Sequence, residues 1–249
     1  MNNTSLDNIR IVLVETSHPG NIGAVARAMK NMGLRNLCLV NPKKFPAEEA
    51  LMRAASAADI LDNTQVCNDV ATAIGDARLV LGASARERRI PWPVHDPRAA
   101  ANQAINEAMQ HDVAILFGRE DRGLKNEELQ QCHLHINIPT DDTYSSLNLA
   151  MAVQVVCYEL RMAWLATNER KDTDQPWDAP LATAADAERF FAHLEQTLIT
   201  LDFLKPSAPR QLMTRLRRLF TRIRMDEMEL NILRGILTAA QHAAGKKPE

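Results

Sequence analysis

The chain has 249 residues, of which 46% are hydrophobic and 4% aromatic, and its formal net charge is −2. These values are ordinary for a soluble globular protein with a substantial core, and they carry no overall basic signal for a nucleic-acid partner. The charge is uneven, because residues 190–249 carry 10 Lys/Arg and 6 Asp/Glu whereas residues 1–189 carry 19 and 25. A basic tail on an acidic body indicates a local polyanion contact, although a solvated helix surface explains the asymmetry equally well.

The cysteines and the amino terminus bear on location. Cys38, Cys67, Cys132 and Cys157 lack CxxC spacing and lie in apolar runs, which is typical of reduced core residues. The amino terminus has no signal-peptide pattern, and there is no run of 18 or more apolar residues. We therefore expect a cytoplasmic protein without a membrane span.

The first two-thirds of the chain alternates short β-branched runs with helix-like stretches. The predicted strands are Ile9–Glu15, Leu37–Val40, Leu79–Ala83, Val113–Gly118 and His135–Ile138, with a weaker one near Gln65–Cys67. The predicted helices between them include Ala24–Met32, Pro46–Ala58, Pro97–Gln110 and Asn126–Cys132. Continuous apolar strands alternating with helices predict an α/β fold, with a mostly parallel sheet covered on both faces by helices.

The last third is predicted to be helical. Ser145–Ala166 reads as one long helix with an apolar stripe of Leu147, Met151, Val155, Tyr158 and Met162. A polar, proline-containing segment follows, and then a second helical unit from about Asp186 to Ala244, interrupted near Lys205–Pro209. We expect a domain over residues 1–167, a linker over 168–185 and a small helical, basic domain over 186–249.

The first candidate site segment, Ser17–Gly23, joins a buried strand to a helix that contains Arg27. Glycines at such a junction let backbone approach a ligand, and helix N-termini favour anions. The spacing is not GxGxxG, so a dinucleotide site is only weakly indicated. A strand–helix turn with a surface arginine explains this segment, taken alone, at least as well.

The second candidate segment, Phe117–Leu124, follows an apolar strand and is rich in charged residues. The carboxyl ends of parallel strands are where α/β sheets bind ligands. An exposed turn with paired charges is the alternative explanation.

The third candidate segment comprises Asn137–Pro139 and Tyr144–Asn148, at the start of the long predicted helix. A hydroxyl residue can cap a helix, but capping accounts for one serine and not for the tyrosine, both serines and the asparagine together. Ala83–Arg86 also follows a strand and is a fourth candidate wall.

Together the three leading segments resemble the motifs of the SPOUT RNA methyltransferases. The matching residues are Asn21-x-Gly23-x-x-x-Arg27, Gly118-x-Glu120-x-x-Gly123-Leu124 and Ser146-Leu147-Asn148-Leu149-Ala150. Over essentially its whole length, including Leu212–Arg224 and Leu230–Leu237, the chain is most similar to bacterial TrmJ-type tRNA 2′-O-methyltransferases. Each motif is modest alone, whereas all three in order at strand ends are a strong signal.

The resemblance implies a deep trefoil knot, a homodimer whose interface shapes the active site, and S-adenosylmethionine as the methyl donor. The implied cofactor-binding residues are Ala83, Ser84, Ala85, Gly118, Ile138, Ser145, Ser146 and Leu147, with glycine at 118 suited to close approach of a ligand. The implied reaction is methylation of the ribose 2′-hydroxyl of tRNA, at cytidine or uridine at position 32 of the anticodon loop.

The resemblance also assigns roles to side chains. The implied catalytic residues are Asn21, Arg27, Glu120, Ser146 and Asn148. Because a guanidinium is effectively always protonated, we expect Arg27 to fix an RNA phosphate and donate to the nascent oxyanion, rather than to accept a proton. A phosphate oxygen or water then takes the proton. Asn21 is expected to hold Arg27 or the ribose, Glu120 to anchor Arg27 or a neighbouring arginine, and Tyr144 to contact the ribose or to pack.

The segment Gln211–Arg224 combines an apolar helical face with five arginines and no acidic residue. This composition favours phosphate contact as well as solvation. The predicted RNA-binding residues are Arg86, Tyr144, Arg215, Arg217, Arg218, Arg222 and Arg224.

Cys132–His135 suggests zinc, but tetrahedral zinc needs four ligands and no second Cys/His pair has matching spacing, so no metal is expected.

Two other functions stay open. One is a non-catalytic RNA-binding relative of the same fold, against which the intact Arg27 and Ser146–Asn148 argue. The other is a Rossmann-type enzyme acting on a small nucleotide, which the missing GxGxxG and the arginine-rich tail disfavour.

Overall fold

The computed structural model describes residues 5–84, 92–141, 143–167 and 179–245. The chain forms two compact units, residues 1–173 and 174–249. Ala85, Arg86 and most of the predicted linker lie outside the described residues.

The first unit is built on a seven-stranded parallel sheet, which agrees with the predicted mostly parallel sheet and adds one strand to it. Its strands are β1 (Ile9–Val14), β2 (Asn36–Val40), β3 (Gln65–Cys67), β4 (Leu79–Ala83), β5 (Val94–His95), β6 (Val113–Phe117) and β7 (Leu134–Ile136). Their spatial order is β3-β2-β1-β6-β4-β7-β5, and every neighbouring pair is parallel. Ile11 and Val12 point to opposite faces of the sheet and both are fully buried, so both faces are covered.

Seven α-helices accompany the sheet in the described part of the first unit. They are α1 (Pro19–Met32), α2 (Glu48–Ala54), α3 (Ala58–Asp62), α4 (Val70–Ile74), α5 (Pro97–Ala108), α6 (Asn126–Leu129) and α7 (Leu149–Thr167). Helix α1 begins five residues before the predicted Ala24, because Pro19 suits the first turn of a helix. It ends at Gly33, whose left-handed φ of 86° lets its N–H reach the carbonyls of the last turn. Asn21 and Gly23 therefore lie on a helix and not in a loop.

Three features of the first unit differ from the prediction. The predicted helix Pro46–Ala58 is broken at Ala55, where φ is 50°, into α2, a 3-10 turn and α3. Strand β5 and helix α4 were not predicted, because runs of two and five residues carry too little periodicity. The Asp69 carboxylate begins α4 by accepting the Thr72 N–H at 2.7 Å.

Helix α7 begins four residues later than predicted, because the Asn148 side chain accepts the Ala150 N–H at 2.9 Å. Asn148, and not a serine, caps this helix. Its packed face carries Leu149, Val153, Val156, Cys157 and Leu160, and the helix packs on α1 and α5.

The predicted apolar stripe of α7 lies on the opposite side from the core. Met151 is 62% exposed, Tyr158 48% and Met162 44%. By length and mean hydropathy (1.3) α7 could also cross a membrane, but core helices pass the same test. The first unit thus presents an exposed apolar helix face.

The second unit consists, in its described part, of α8 (Ala184–Thr200), α9 (Leu212–Thr221) and α10 (Glu227–Gly245). Thr183 caps α8 in a capping box with Asp186. A small core forms around Phe190, Phe191, Leu194, Met225 and Leu230.

Candidate functional site

Neighbouring strands β6, β4 and β7 end at one edge of the sheet, where a cavity of about 300 Å³ opens. We name it the strand-end cavity. The segments after these strands line it, namely Ala83–Ser84, Phe117–Leu124 and residues between Ile136 and Leu149. Because parallel neighbours end at the same edge, segments far apart in sequence meet here.

Every predicted cofactor-binding residue that the structure describes lines the strand-end cavity. These residues are Ala83, Ser84, Gly118, Ile138, Ser145, Ser146 and Leu147, while Ala85 lies outside the described residues. The walls combine apolar side chains, such as Phe117 and Ile136, with hydroxyl groups, two carboxylates and two arginines. Mostly apolar walls with a few convergent polar groups are typical of small-molecule sites.

Gly118 is required by the loop that follows β6. A Cβ at Gly118 would lie 2.0 Å from the carbonyl carbon of Gly123 and 2.2 Å from the backbone nitrogen of Leu124. Arg119 and Gly123 exchange backbone hydrogen bonds of 2.9 and 3.2 Å, and Gly123 adopts a φ of 67°. The close approach at Gly118 is that of the chain's own backbone, which is a reason for glycine in addition to the expected approach of a ligand.

A second cavity, of about 400 Å³, lies beside the first turn of α1 and is named the α1–α2 cavity. It is lined by His18, Gly20, Asn21, Ala24, Glu49, Arg53 and Asn148. Gly23 brings the two helices together, because a Cβ there would lie 2.1 Å from the carbonyl oxygen of Ala50. Gly23 thus serves helix packing.

A chain of hydrogen bonds joins the three motifs and links the two cavities. Asn21 Nδ2 donates to Glu120 Oε1 at 3.0 Å, and Asn148 Nδ2 donates to Asn21 Oδ1 at 3.1 Å. Glu120 lines the strand-end cavity, whereas both asparagines line the α1–α2 cavity. The Asn21 amide therefore lies in a wall with one cavity on each side. We name this wall the Glu120–Asn21–Asn148 chain.

Glu120 also holds the start of α1. It accepts the Ser17 N–H at 3.1 Å, the Ser17 hydroxyl at 2.9 Å and the His18 N–H at 3.2 Å. Burial raises the pKa of Glu120, but the hydrogen bonds from Asn21 and these backbone N–H groups outweigh burial and bring the pKa to about 2. In the described part of the chain no arginine contacts Glu120, so the prediction that it anchors Arg27 was wrong, while Arg86 lies outside the described residues. Strand β6 lies beside β1, and its end therefore meets the segment that leads into α1.

The arginine that is anchored is Arg119, which sequence reasoning did not single out. Its guanidinium donates to Glu15 at 2.8 Å and to both carboxylate oxygens of Glu128 at 2.8 and 3.0 Å. Hydrogen bonds with Glu128 and Glu15 raise the pKa of Arg119, and Arg119 lowers the pKa of Glu15 to about 2. The only feature of the sequence that pointed to Arg119 was its position directly after Gly118. This network fixes the loop that borders the strand-end cavity.

Arg27 lies exposed on α1 and, within the described ranges, has neither an ion pair nor a hydrogen bond from its side chain. It borders neither cavity, yet Gly20, Ala24 and Arg27 share one helix face at three- and four-residue steps. Asn21 was expected to hold Arg27 or the ribose, but it does not hold Arg27, because its amide is bonded to Glu120 and Asn148. The Arg27 guanidinium is thus one turn beyond the α1–α2 cavity.

Two family models match the chain. The model of the SpoU rRNA Methylase family matches residues 8–158, and that described as tRNA methyltransferase TrmJ, C-terminal domain, matches residues 185–249. The chain belongs to the SpoU methylase family. The first match spans the whole sheet and all three motif segments.

Among curated relatives, this SpoU methylase is 53% identical over 236 residues to tRNA (cytidine/uridine-2'-O-)-methyltransferase TrmJ of Citrobacter koseri, covering 95% of this chain and 97% of that protein. It is 52% identical to the TrmJ of Escherichia coli, covering 98% of this chain and 100% of that protein. The crystal structure of TrmJ from Z. mobilis is 33% identical and superposes with a TM-score of 0.80, covering 92% of this chain and 97% of that one. The similarity extends over both units.

Among the predicted RNA-binding arginines of this SpoU methylase, Arg217, Arg218 and Arg224 have partners within the protein, Arg215 and Arg222 have none in the described chain, and Arg86 lies outside the described residues. Arg217 pairs with both carboxylate oxygens of Glu188 at 2.6 and 2.9 Å, and it stacks on the Phe191 ring at 4.5 Å. It therefore ties α9 to α8, and its assignment to RNA is withdrawn. Arg215 and Arg222 are exposed and have no hydrogen-bonded or ionic partner in the described chain. Tyr144 is 80% exposed beside the third motif.

The histidines that suggested zinc have structural partners. His133 Nδ1 accepts the Val80 N–H at 2.9 Å, which places its proton on the other ring nitrogen. His135 stacks on Trp92 at 5.6 Å, and its Nε2 lies 3.1 Å from the Leu129 carbonyl oxygen. Both rings therefore stabilise the sheet edge near β7.

The lowered pKa of Glu120 gives a pH prediction. A carboxylate with a pKa of about 2 in the folded state adds stability above its ordinary value of 4.5, and this stability is lost as pH falls toward 2. We expect Glu120→Gln to lower the free energy of unfolding at pH 7, with a difference from wild type that shrinks as pH falls from about 5 to about 2. Denaturant titrations at several pH values measure this difference. The exposed Glu127→Gln is the control, and a pH-independent Glu120→Gln effect would contradict the assignment.

Proposed function

We propose that this chain transfers a methyl group from S-adenosylmethionine to the ribose 2′-hydroxyl of tRNA. The observation that carries the proposal is the Glu120–Asn21–Asn148 chain, which has a small-molecule cavity on one side and an open polar cavity on the other. Methyl transfer requires donor and acceptor to meet in line, which is mainly a positioning task. The names of the full-length relatives support the tRNA 2′-O reaction.

The strand-end cavity fits the methyl donor. Its apolar walls suit an adenine ring, the serine hydroxyls suit the polar ends, and Glu120 carries a negative charge at neutral pH near a cationic ligand. When bound, S-adenosylmethionine supplies a methyl group on a sulfonium that leaves as a neutral thioether. Ser84, Gly118, Ile138, Ser146 and Leu147 would hold it.

The chain's other residues act on the acceptor. Arg27 binds an RNA phosphate and donates to the oxyanion that develops on the ribose, and the hydroxyl proton passes to water or a phosphate oxygen. Asn21 and Asn148 keep the wall between the cavities in place. Ser146 orders the third motif, and Tyr144 contacts the ribose. An arginine stays protonated throughout.

The assembly proposed here is a homodimer with a trefoil knot in each first domain. Family membership supports the knot, as does the crowding of the segments after β4, β6 and β7 into one cavity. The exposed stripe of Met151, Tyr158 and Met162 on α7 supports the dimer, because a second copy would cover it. We place the domains at residues 1–167 and 186–249, and the protein in the cytoplasm with its tRNA substrate.

The helical domain is proposed to bind tRNA through Arg215 and Arg222. We expect the double change Arg215→Ala and Arg222→Ala to weaken tRNA binding at least about tenfold and to reduce the slope of log Kd against log salt by about 1.4 for two lost phosphate contacts. Fluorescence anisotropy with labelled tRNA measures both. Glu195→Gln, another exposed site in this unit, is the control; unchanged affinity and slope in the double variant would sink the assignment.

The target is proposed to be cytidine or uridine at position 32 of the anticodon loop. Comparing 2′-O-methyl maps of tRNA from cells with and without this protein tests the position. Loss of the mark at position 32 alone supports the proposal, whereas an unchanged map contradicts it.

A further inference from the structure

One positively charged side chain on the wall of the α1–α2 cavity belongs to none of the three motifs. Arg53, on α2, lines it together with His18, Asn21 and Asn148. Its side chain is exposed and, in the part of the chain that the structure describes, has neither a hydrogen bond nor an ion pair. An uncommitted guanidinium on a cavity wall is available to a phosphate or carboxylate.

Glu49 is the natural partner for Arg53, because residues four apart on a helix are neighbours. Both side chains lie near the first turn of α1, since a Cβ on Gly20 would be 2.6 Å from Glu49 Oε1 and 3.6 Å from Arg53 Cγ. Gly20 belongs to the first turn of α1, where the helix dipole favours negative charge. Glu49 lines the same cavity but, in the described chain, forms no ion pair with Arg53, so the donors of the Arg53 guanidinium stay free.

Arg53 and Arg27 lie on two helices that pack together. Helices α1 and α2 meet at Gly23 and Ala50, and Arg27 continues the α1 face that begins at the cavity with Gly20. Two guanidinium groups on facing helices fit a ligand with more than one phosphate better than a single small anion. His18, on the same cavity wall, supplies a polar group for a ribose between those phosphates.

We propose that Arg53 binds a backbone phosphate of the tRNA beside the target ribose, so that α2 forms part of the acceptor site. This inference rests on the proposed function and adds a substrate-binding residue outside the three motifs. The cavity between α1 and α2 then holds the acceptor nucleotide, with Arg27 and Arg53 on neighbouring phosphates.

Steady-state methylation of tRNA by Arg53→Ala tests the inference. We expect the KM for tRNA to rise at least about tenfold while kcat stays within about threefold and the Kd for S-adenosylmethionine is unchanged. The slope of log Kd against log salt for tRNA falls by about 0.7, as for one lost phosphate contact. Arg53→Lys recovers part of the KM, because it keeps the charge without the planar fork.

The matched control is Arg35→Ala, an exposed arginine that precedes β2 at the opposite, amino edge of the sheet. It leaves KM and the salt slope at wild-type values. If the wild-type protein methylates tRNA and Arg53→Ala retains its KM and salt slope, the role of Arg53 is disproved while the proposed function stands. If the wild-type protein does not methylate tRNA in the same assay, the proposed function fails, and this inference fails with it.

Discussion

Arg27→Ala is expected to reduce methyl transfer to tRNA at least about 100-fold, in line with the loss of one oxyanion donor. The reason is that Arg27 is an exposed, uncommitted guanidinium one turn beyond the α1–α2 cavity, within the residues that the structure describes. Because the exposed side chain makes no hydrogen bond or ion pair with the described residues, thermal stability and the Kd for S-adenosylmethionine should stay at wild-type values. Single-turnover methylation, calorimetric titration of the cofactor and thermal unfolding measure the three quantities.

Two variants sharpen the Arg27 result. Arg27→Lys keeps the charge but loses the bidentate fork, so it should recover only part of the rate. Arg35→Ala should retain full activity. An Arg27→Ala protein that methylates tRNA at the wild-type rate would remove Arg27 from the mechanism, and one that loses cofactor binding would show a structural role instead.

Gly118→Ala is expected to destabilise the first domain by about 1–3 kcal/mol and to weaken S-adenosylmethionine binding at least about tenfold. The added methyl group would lie 2.0 Å from the carbonyl carbon of Gly123, against backbone that cannot rotate away as a side chain does. The loop from Arg119 to Gly123 must therefore move, and with it one wall of the strand-end cavity. Denaturant unfolding and cofactor titration test both effects.

Gly123→Ala in the same loop is the matched control. A Cβ at Gly123 meets nothing within 4 Å, so the cost is the left-handed φ of 67° alone, about 1 kcal/mol. Gly118→Ala is predicted to lower the free energy of unfolding by more than Gly123→Ala does. The reverse order, or wild-type cofactor affinity in Gly118→Ala, would contradict the steric account.

Burial explains how much of the fold could be predicted. Strand β4 was predicted with its observed bounds, because a buried apolar run that ends in turn residues leaves few alternatives. The weak strand β3 was also found, although two of its three residues are exposed. The three site segments follow β1, β6 and β7, whose carboxyl ends meet at the same edge of the parallel sheet although β4 lies between β6 and β7. Composition contributed little, since the net charge of −2 does not indicate RNA.

Pairings between distant residues could not be read from the sequence. Glu120 was expected to hold an arginine, yet its partners are Ser17, His18 and Asn21, about 100 positions away along the chain. Arg217 was counted with its neighbours on α9, because nothing local shows that Glu188 on another helix faces it. The orientation of α7 could not be predicted either, because the spacing of its apolar stripe identifies one face of the helix but does not show which face packs against the core.

The central claim is that this chain methylates a ribose hydroxyl of tRNA, and one measurement tests it directly. Purified protein is incubated with S-adenosylmethionine and unmodified tRNA transcript, and the products are digested and sequenced by mass spectrometry. The account predicts one added methyl group on a 2′-oxygen at position 32 of the anticodon loop, absent when Arg27→Ala replaces the wild-type protein. Methylation on a base, or no methyl transfer by protein that binds the cofactor, would contradict it.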